Sequence, residues 1–205
     1  MSALNIENRI LNKVKKAKMG SLYFTDSFAD YGTPKAVAKA LERLTQSGEL
    51  MRVARGMYTR PVKDPVLGVV MPTLENIAQA IGKRDKATLI PTGSLALYKL
   101  GLTTQVPLNV VYYTSASPRS IVVNNSIIKF KKTTAKNLAY IGETSKLVIV
   151  ALKEIGKDKV TPDQLEVLEK HMRNEKAYHA RHDLNNAPAW IRTLFSSLRN
   201  TLTHE

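Results

Sequence analysis

Apolar positions recur along the chain at two different periods, and the change from one period to the other marks out its elements. Ile6, Ile10 and Val14, with Leu11 widening the stripe, recur at helical spacing and predict a helix that Gly20 stops. Lys13, Lys15, Lys16 and Lys18 lie largely on its other side. A short second helix fits Asp26 to Asp30, with Thr25 as its N-cap and Tyr31-Gly32 as its end. The third helix has the fullest signals. Thr33 caps it, Pro34 takes the first helical position, where a missing N–H costs nothing, and Val37, Ala40, Leu41 and Leu44 form one apolar stripe up to Gly48. Lys35, Lys39 and Arg43 follow at i, i+4 and i+8, so they share a face away from that stripe.

The stretch from Glu49 to Arg60 predicts a two-stranded hairpin turning near Ala54, Arg55 and Gly56. Three short helices followed by a strand, a glycine turn and a strand is the order of a winged helix-turn-helix. Residues 61–72 carry three prolines and a glycine and read as a linker, one that packs in part because its valines are too apolar for a solvated tether. Beyond it, Leu74, Ile77, Ala78 and Ile81 predict a helix ending at Gly82, Ala87 to Pro91 a strand, and Ser94 to Leu100 a helix.

Period two then takes over. Asn109–Thr114, Ser120–Asn124 and Ile127–Lys131 are β-branched and aromatic, with Asn124-Asn125 turning between the last two. Ser145–Ile155 and Thr161–Arg173 return to helical spacing, and Pro188–Leu202 forms a last helix around Trp190, Ile191, Leu194, Phe195 and Leu198. The expected class is therefore α+β. Residues 1–63 form a winged helix-turn-helix domain, 64–72 a linker, and 73–205 a mixed α/β domain.

Composition sharpens this picture. The chain has 205 residues, 43% hydrophobic, with 31 Lys plus Arg against 17 Asp plus Glu, a net charge of +14. That much apolar content supports a core, so the charge is not that of a disordered basic tail. It points to a polyanionic partner, nucleic acid first. Residues 1–63 hold twelve of the cations and five of the acids, about half the excess. The absence of cysteine removes disulfides, thiol nucleophiles and cysteine-ligated metals, and suits a reducing cytoplasm. A secretory leader and a membrane span are not expected, because no apolar run is long enough.

The basic helix and hairpin carry the strongest chemical signal. A helix laid in the major groove needs cations along it and on the neighbouring loop to fix its register against the phosphates. Thr33, Lys35, Lys39 and Arg43 on the helix, and Arg52, Arg55 and Arg60 on the hairpin, are the expected DNA-binding residues, with double-stranded operator DNA as partner. Enzyme signals are weaker. His179, His182 and Asp183 read as a surface loop beside Lys176 and Arg181, short of the ligands a metal site needs. Glu154 and Lys157 lack the further carboxylates of a nuclease, and no glycine spacing matches a nucleotide-binding loop. Tyr58 and the Tyr112-Tyr113 pair read as core or sheet-face residues rather than base-stacking ones. No catalytic residue, metal or cofactor is expected.

Two further stretches extend the pattern. Ala36-Val37-x-x-Ala40-Leu41-x-Arg43-Leu44, followed by Gly48-x-Leu50-x-Arg52-Val53-Ala54-Arg55-Gly56-x-Tyr58, resembles the winged-helix start of the AbiEi-type antitoxins of type IV toxin-antitoxin (abortive infection) systems. The likeness continues in Pro91-x-Gly93-x-x-Ala96-Leu97-x-x-Leu100-Gly101-Leu102-x-Thr104-Gln105-Val106-Pro107, in Tyr113-Thr114 and in Ser117-Pro118-Arg119. It covers roughly residues 20–130, and a glycine expected between Thr114 and Arg119 is missing. The resemblance implies a bacterial repressor of its own promoter. It also implies a C-terminal domain that counteracts a nucleotidyltransferase-like toxin without necessarily forming a stable complex. Charge and spacing by themselves leave two rivals, a nucleic-acid-processing enzyme targeted by its winged helix and a winged-helix regulator unrelated to toxins.

Overall fold

The computed structural model describes residues 3–202, and side chains over residues 6–196. The chain divides into two compact units, residues 1–81 with 121–126, and residues 82–120 with 127–205. The molecule is α+β in both.

In the first unit, α1 (Ala3–Lys16) leads into a short strand β1 (Leu22–Phe24), a 3₁₀ segment (Thr25–Tyr31), α2 (Pro34–Gln46), and strands β2 (Met51–Ala54) and β3 (Met57–Thr59). The three strands form an antiparallel sheet in the order β1-β3-β2, with Tyr23 opposite Tyr58 and Arg52 on the other side of Tyr58. The core is the one the periodicity predicts. Ile6, Ile10 and Val14 of α1 meet Val37, Ala40, Leu41 and Leu44 of α2, and Phe28 of the 3₁₀ segment fills the space between, stacked on Tyr23.

Two local expectations change. Strand β1 was not legible, because three apolar residues show no period. Thr25 is not the cap of the second helix. Phe24 occupies that position and donates its amide to Ser27 Oγ (3.1 Å), while the Thr25 amide is drawn off to Gly56 O (3.1 Å) in the hairpin turn.

The segment expected as a linker folds. Strands β4 (Val62–Asp64) and β5 (Gly68–Val70) pair antiparallel across a tight loop, which Asp64 Oδ1 closes by accepting from the Val66 and Leu67 amides (2.8 and 2.9 Å). Its packing is partial: Val62 is half-buried, while Val66 is 90% exposed and Val69 50%. Helix α3 (Leu74–Arg84) follows, running through Gly82, and the division between units falls inside it, not at 64–72.

The second unit contains β6 (Leu89–Pro91), α4 (Gly93–Lys99), β7 (Val110–Thr114) and all of β9 (Ser126–Lys132) but its first residue, while β8 (Arg119–Val123) belongs to it only up to Ser120. The mixed sheet has the order β6-β7-β9-β8, with β6 antiparallel and β9 parallel to β7. Along β7 the buried residues alternate, Val110, Tyr112 and Thr114, as period two requires. Asn124, at φ 51°, makes the expected turn before β9.

Helices α5 (Ala135–Leu138), α6 (Glu143–Ile155), α7 (Pro162–Arg173), α8 (Ala177–Asn186) and α9 (Ala189–Leu202) complete the chain. Val148 to Leu152 are all buried, so the middle of α6 is enclosed on every side and forms the centre of this unit's core. The α7 start is a capping box, Thr161 Oγ1 accepting from the Gln164 amide and Gln164 Oε1 from the Thr161 amide. Leu198, expected on the apolar face of the last helix, lies among the side chains outside the described residues. Among the described residues no helix is long and apolar enough to cross a membrane.

Candidate nucleic-acid interface

The polar face of α2 follows from how its apolar face is used. With Val37, Ala40, Leu41 and Leu44 buried, Lys35, Lys39 and Arg43 are turned out to solvent. Thr33 Oγ1 accepts from the Ala36 amide (3.3 Å) and fixes where the helix begins. It therefore acts in the first instance as a cap.

The three cations are not equivalent. Arg43 Nη1 donates to Glu7 Oε1 of α1 at 3.0 Å, so part of its charge is neutralised within the unit. Among the described residues Lys35 and Lys39 make no such pair. Glu7 escapes a reading of single helices because the spacing along either helix says nothing of which face the other presents.

The hairpin separates its arginines in the same way. Arg52 is exposed on β2, and Arg55 is exposed at the two-residue turn with Gly56, whose φ of +71° an ordinary side chain adopts only with strain. This turn is held to the start of the 3₁₀ segment by the Thr25 amide. Arg60 does not belong with them. It follows β3 and stands at the opposite end of that strand from the turn, where it lines a cavity of about 400 Å³ with Lys18, Gly20 and Asn76. A strand advances about 3.3 Å per residue, so five residues put Arg55 and Arg60 roughly 16 Å apart along the chain.

Other cations of the first unit are used internally. Arg9 stacks over the Tyr31 ring at 4.2 Å, and Lys13 donates to Ser27 O at 2.6 Å while lying over Phe28. They hold the 3₁₀ segment to α1. The candidate interface thus reduces to Lys35 and Lys39 on α2 and Arg52 and Arg55 on the hairpin, with Arg43 half-committed. Asp64 and Glu75 also belong to this unit, which holds twelve Lys or Arg against seven Asp or Glu, whereas the second unit holds nineteen against ten. The larger excess therefore lies outside the candidate interface.

The histidine stretch expected as a surface loop is helix α8, and its acid is interior. Asp183 is fully buried and accepts from the Ile141 and Gly142 amides (2.8 and 2.9 Å), from Ser145 Oγ (2.6 Å) and from the His182 ring (3.0 Å). Glu175 accepts from the Thr144 and Ser145 amides (2.7 and 3.1 Å), and its Oε1 lies 3.2 Å from His179 Nδ1. Together the two carboxylates satisfy the open amides at the start of α6. Burial pushes the Glu175 carboxyl up, but those amides, the Lys176 amide and the His179 ring pull it further down, below the usual carboxylate range. Tyr112 is buried, and Tyr58 packs partly against the first core, as expected of sheet residues.

A family model matches residues 9–179, most of the chain. The protein belongs to a family of unknown function, DUF6088. Among solved structures the chain is similar to the RV2827C protein from Mycobacterium tuberculosis, with 10% identity and a TM-score of 0.47, over 93% of this chain and 80% of that one. No match was found among the curated proteins.

Proposed function

We propose that this DUF6088 protein is a DNA-binding repressor of its own operon, a bacterial cytoplasmic protein whose first unit is a winged helix-turn-helix. The observation that carries the reading is α2, with Lys35 and Lys39 exposed and unpaired among the described residues, in a unit ordered α1, β1, 3₁₀ segment, α2 and a β2–β3 hairpin with exposed Arg52 and Arg55. In this reading α2 enters the major groove, and Arg52 and Arg55 hold phosphates from the hairpin, positioning rather than specifying. The protein acts by binding, not by catalysis. The AbiEi-like motifs support a second role for the remainder of the chain, as a type IV antitoxin that counteracts a nucleotidyltransferase-like toxin.

Titration of the full chain onto duplex fragments from its own upstream region, at several salt concentrations, tests the first part. Binding of one fragment in preference to scrambled duplex is expected, and the Lys39→Ala chain should show a slope of log affinity against log salt flatter by about 0.9. An unchanged slope, or equal binding to every duplex, overturns the reading. For the second part, growth arrest by a toxin encoded beside this gene should be relieved by co-expression of the chain. Persisting arrest would leave a regulator alone.

A further inference from the structure

The second unit carries a solvent-open cleft of about 210 Å³, formed by β6, the start of α4, β7, the α5 region and α6. Lys153 and Glu154, successive residues of α6, both line it, and both are exposed to solvent. Successive helical residues diverge by about 100°, so the cleft lies between an ammonium and a carboxylate that do not neutralise each other.

Each of the two charges is presented in a definite way. Lys153 Nζ donates to Asn137 Oδ1 (3.2 Å) and Tyr140 Oη (3.0 Å), and lies 5.3 Å from the Tyr140 ring centre. An ammonium has three N–H groups, so one remains for an occupant. Glu154 has no hydrogen-bond or ion-pair partner among the described residues. Its approach depends on Gly93, where a Cβ would stand 2.2 Å from Glu154 Oε2 and 2.4 Å from Glu154 Cβ. The Pro91-Thr92-Gly93 run that the sequence singles out, and that a DNA-binding first unit does not use, is therefore what lets this carboxylate lie against the first turn of α4. The rest of the wall is formed by Thr92, half-buried Tyr113 from β7, and buried Tyr140, Ile90 and Val150.

We propose that this cleft binds a guanine nucleotide by its base. A carboxylate only accepts and an ammonium only donates, so the occupant must set donors beside an acceptor on one edge. The aromatic wall suits a planar ring. Guanine meets both demands: its N1–H and 2-amino group donate to the two oxygens of Glu154, and its O6 accepts from Lys153. Adenine and cytosine offer one donor group on that edge and leave a carboxylate oxygen unmatched. The cation excess of this unit, nineteen Lys or Arg against ten acids, suits the phosphate that the base carries.

The inference stands apart from the DNA reading of the first unit. Calorimetric titration of the full chain with GMP, IMP, AMP and CMP tests it. GMP is expected to bind saturably at one site per chain, with AMP and CMP weaker by about tenfold or more, and IMP, which lacks the 2-amino group, weaker than GMP. Glu154→Gln and Lys153→Met should each weaken GMP by about tenfold or more. Absence of saturable GMP binding, equal affinity for GMP and AMP, or unchanged GMP affinity in a folded Glu154→Gln chain would each overturn it. The GMP and IMP comparison needs no variant, so it holds if a substitution unfolds the protein.

Discussion

Asp183 shows how much a single side chain can decide here. Its carboxylate accepts from two backbone amides and a serine hydroxyl in a place without water access. Asp183→Ala strands all three donors, and each unsatisfied buried group costs about 1–3 kcal/mol, so a loss of at least ~3 kcal/mol is expected. For a chain of this size that lowers Tm by roughly 6 °C or more, readable by calorimetry. The sequence places His182 and Asp183 side by side in a polar stretch and gives no sign that the acid turns inward, because its partners come from about forty residues earlier. Lys39 and Arg43 make the same point on the surface. They look alike on a helical wheel, yet only Arg43 meets Glu7.

At the scale of elements, the hairpin and α6 are each completed by groups from elsewhere. The β2–β3 turn needs Gly56 in the left-handed region, and its carbonyl receives the Thr25 amide. Gly56→Val is expected to cost about 1–3 kcal/mol, visible as an earlier midpoint in urea unfolding. Helix α6 begins on two carboxylates of the α8 region, and Glu175 has its carboxyl held below the usual range. A depressed carboxyl contributes stability above its unfolded-state pKa, and that contribution is lost as pH falls through the folded value. The Tm should therefore drop below about pH 4, and Glu175→Gln should be less stable near neutrality and less sensitive to acid. Thermal melts at several pH values check both. An equally steep acid dependence in the variant would remove Glu175 as its source.

Across the whole molecule the charge of +14 divides unevenly, and most of it lies outside the unit that carries the candidate DNA interface. If the four free cations of that interface are the phosphate contacts, log affinity should fall against log salt with a slope of about 3.6. A much steeper slope for the full chain would show that cations of the second unit also meet DNA.

Helix and strand periods are local properties, legible from residues a few positions apart, as are those caps and turns that no distant group competes for. The sequence alone specified the apolar stripes of α1 and α2, the Thr33 cap, the alternation of β7 and the Asn124 turn, because each depends on neighbours within a few residues. It also specified the α+β class. Strand β1 and the β4–β5 hairpin are three-residue strands, too short to show a period, so their pairing partners decided them. Tertiary structure alone decided which cations remain free, since an ion pair such as Arg43 with Glu7 depends on how two helices face each other. It alone placed Arg60 at the far end of β3 and turned Asp183 inward. The meeting of Gly93 with Glu154 is of the same kind: it joins residues sixty-one apart in sequence, and only packing α4 on α6 brings them together.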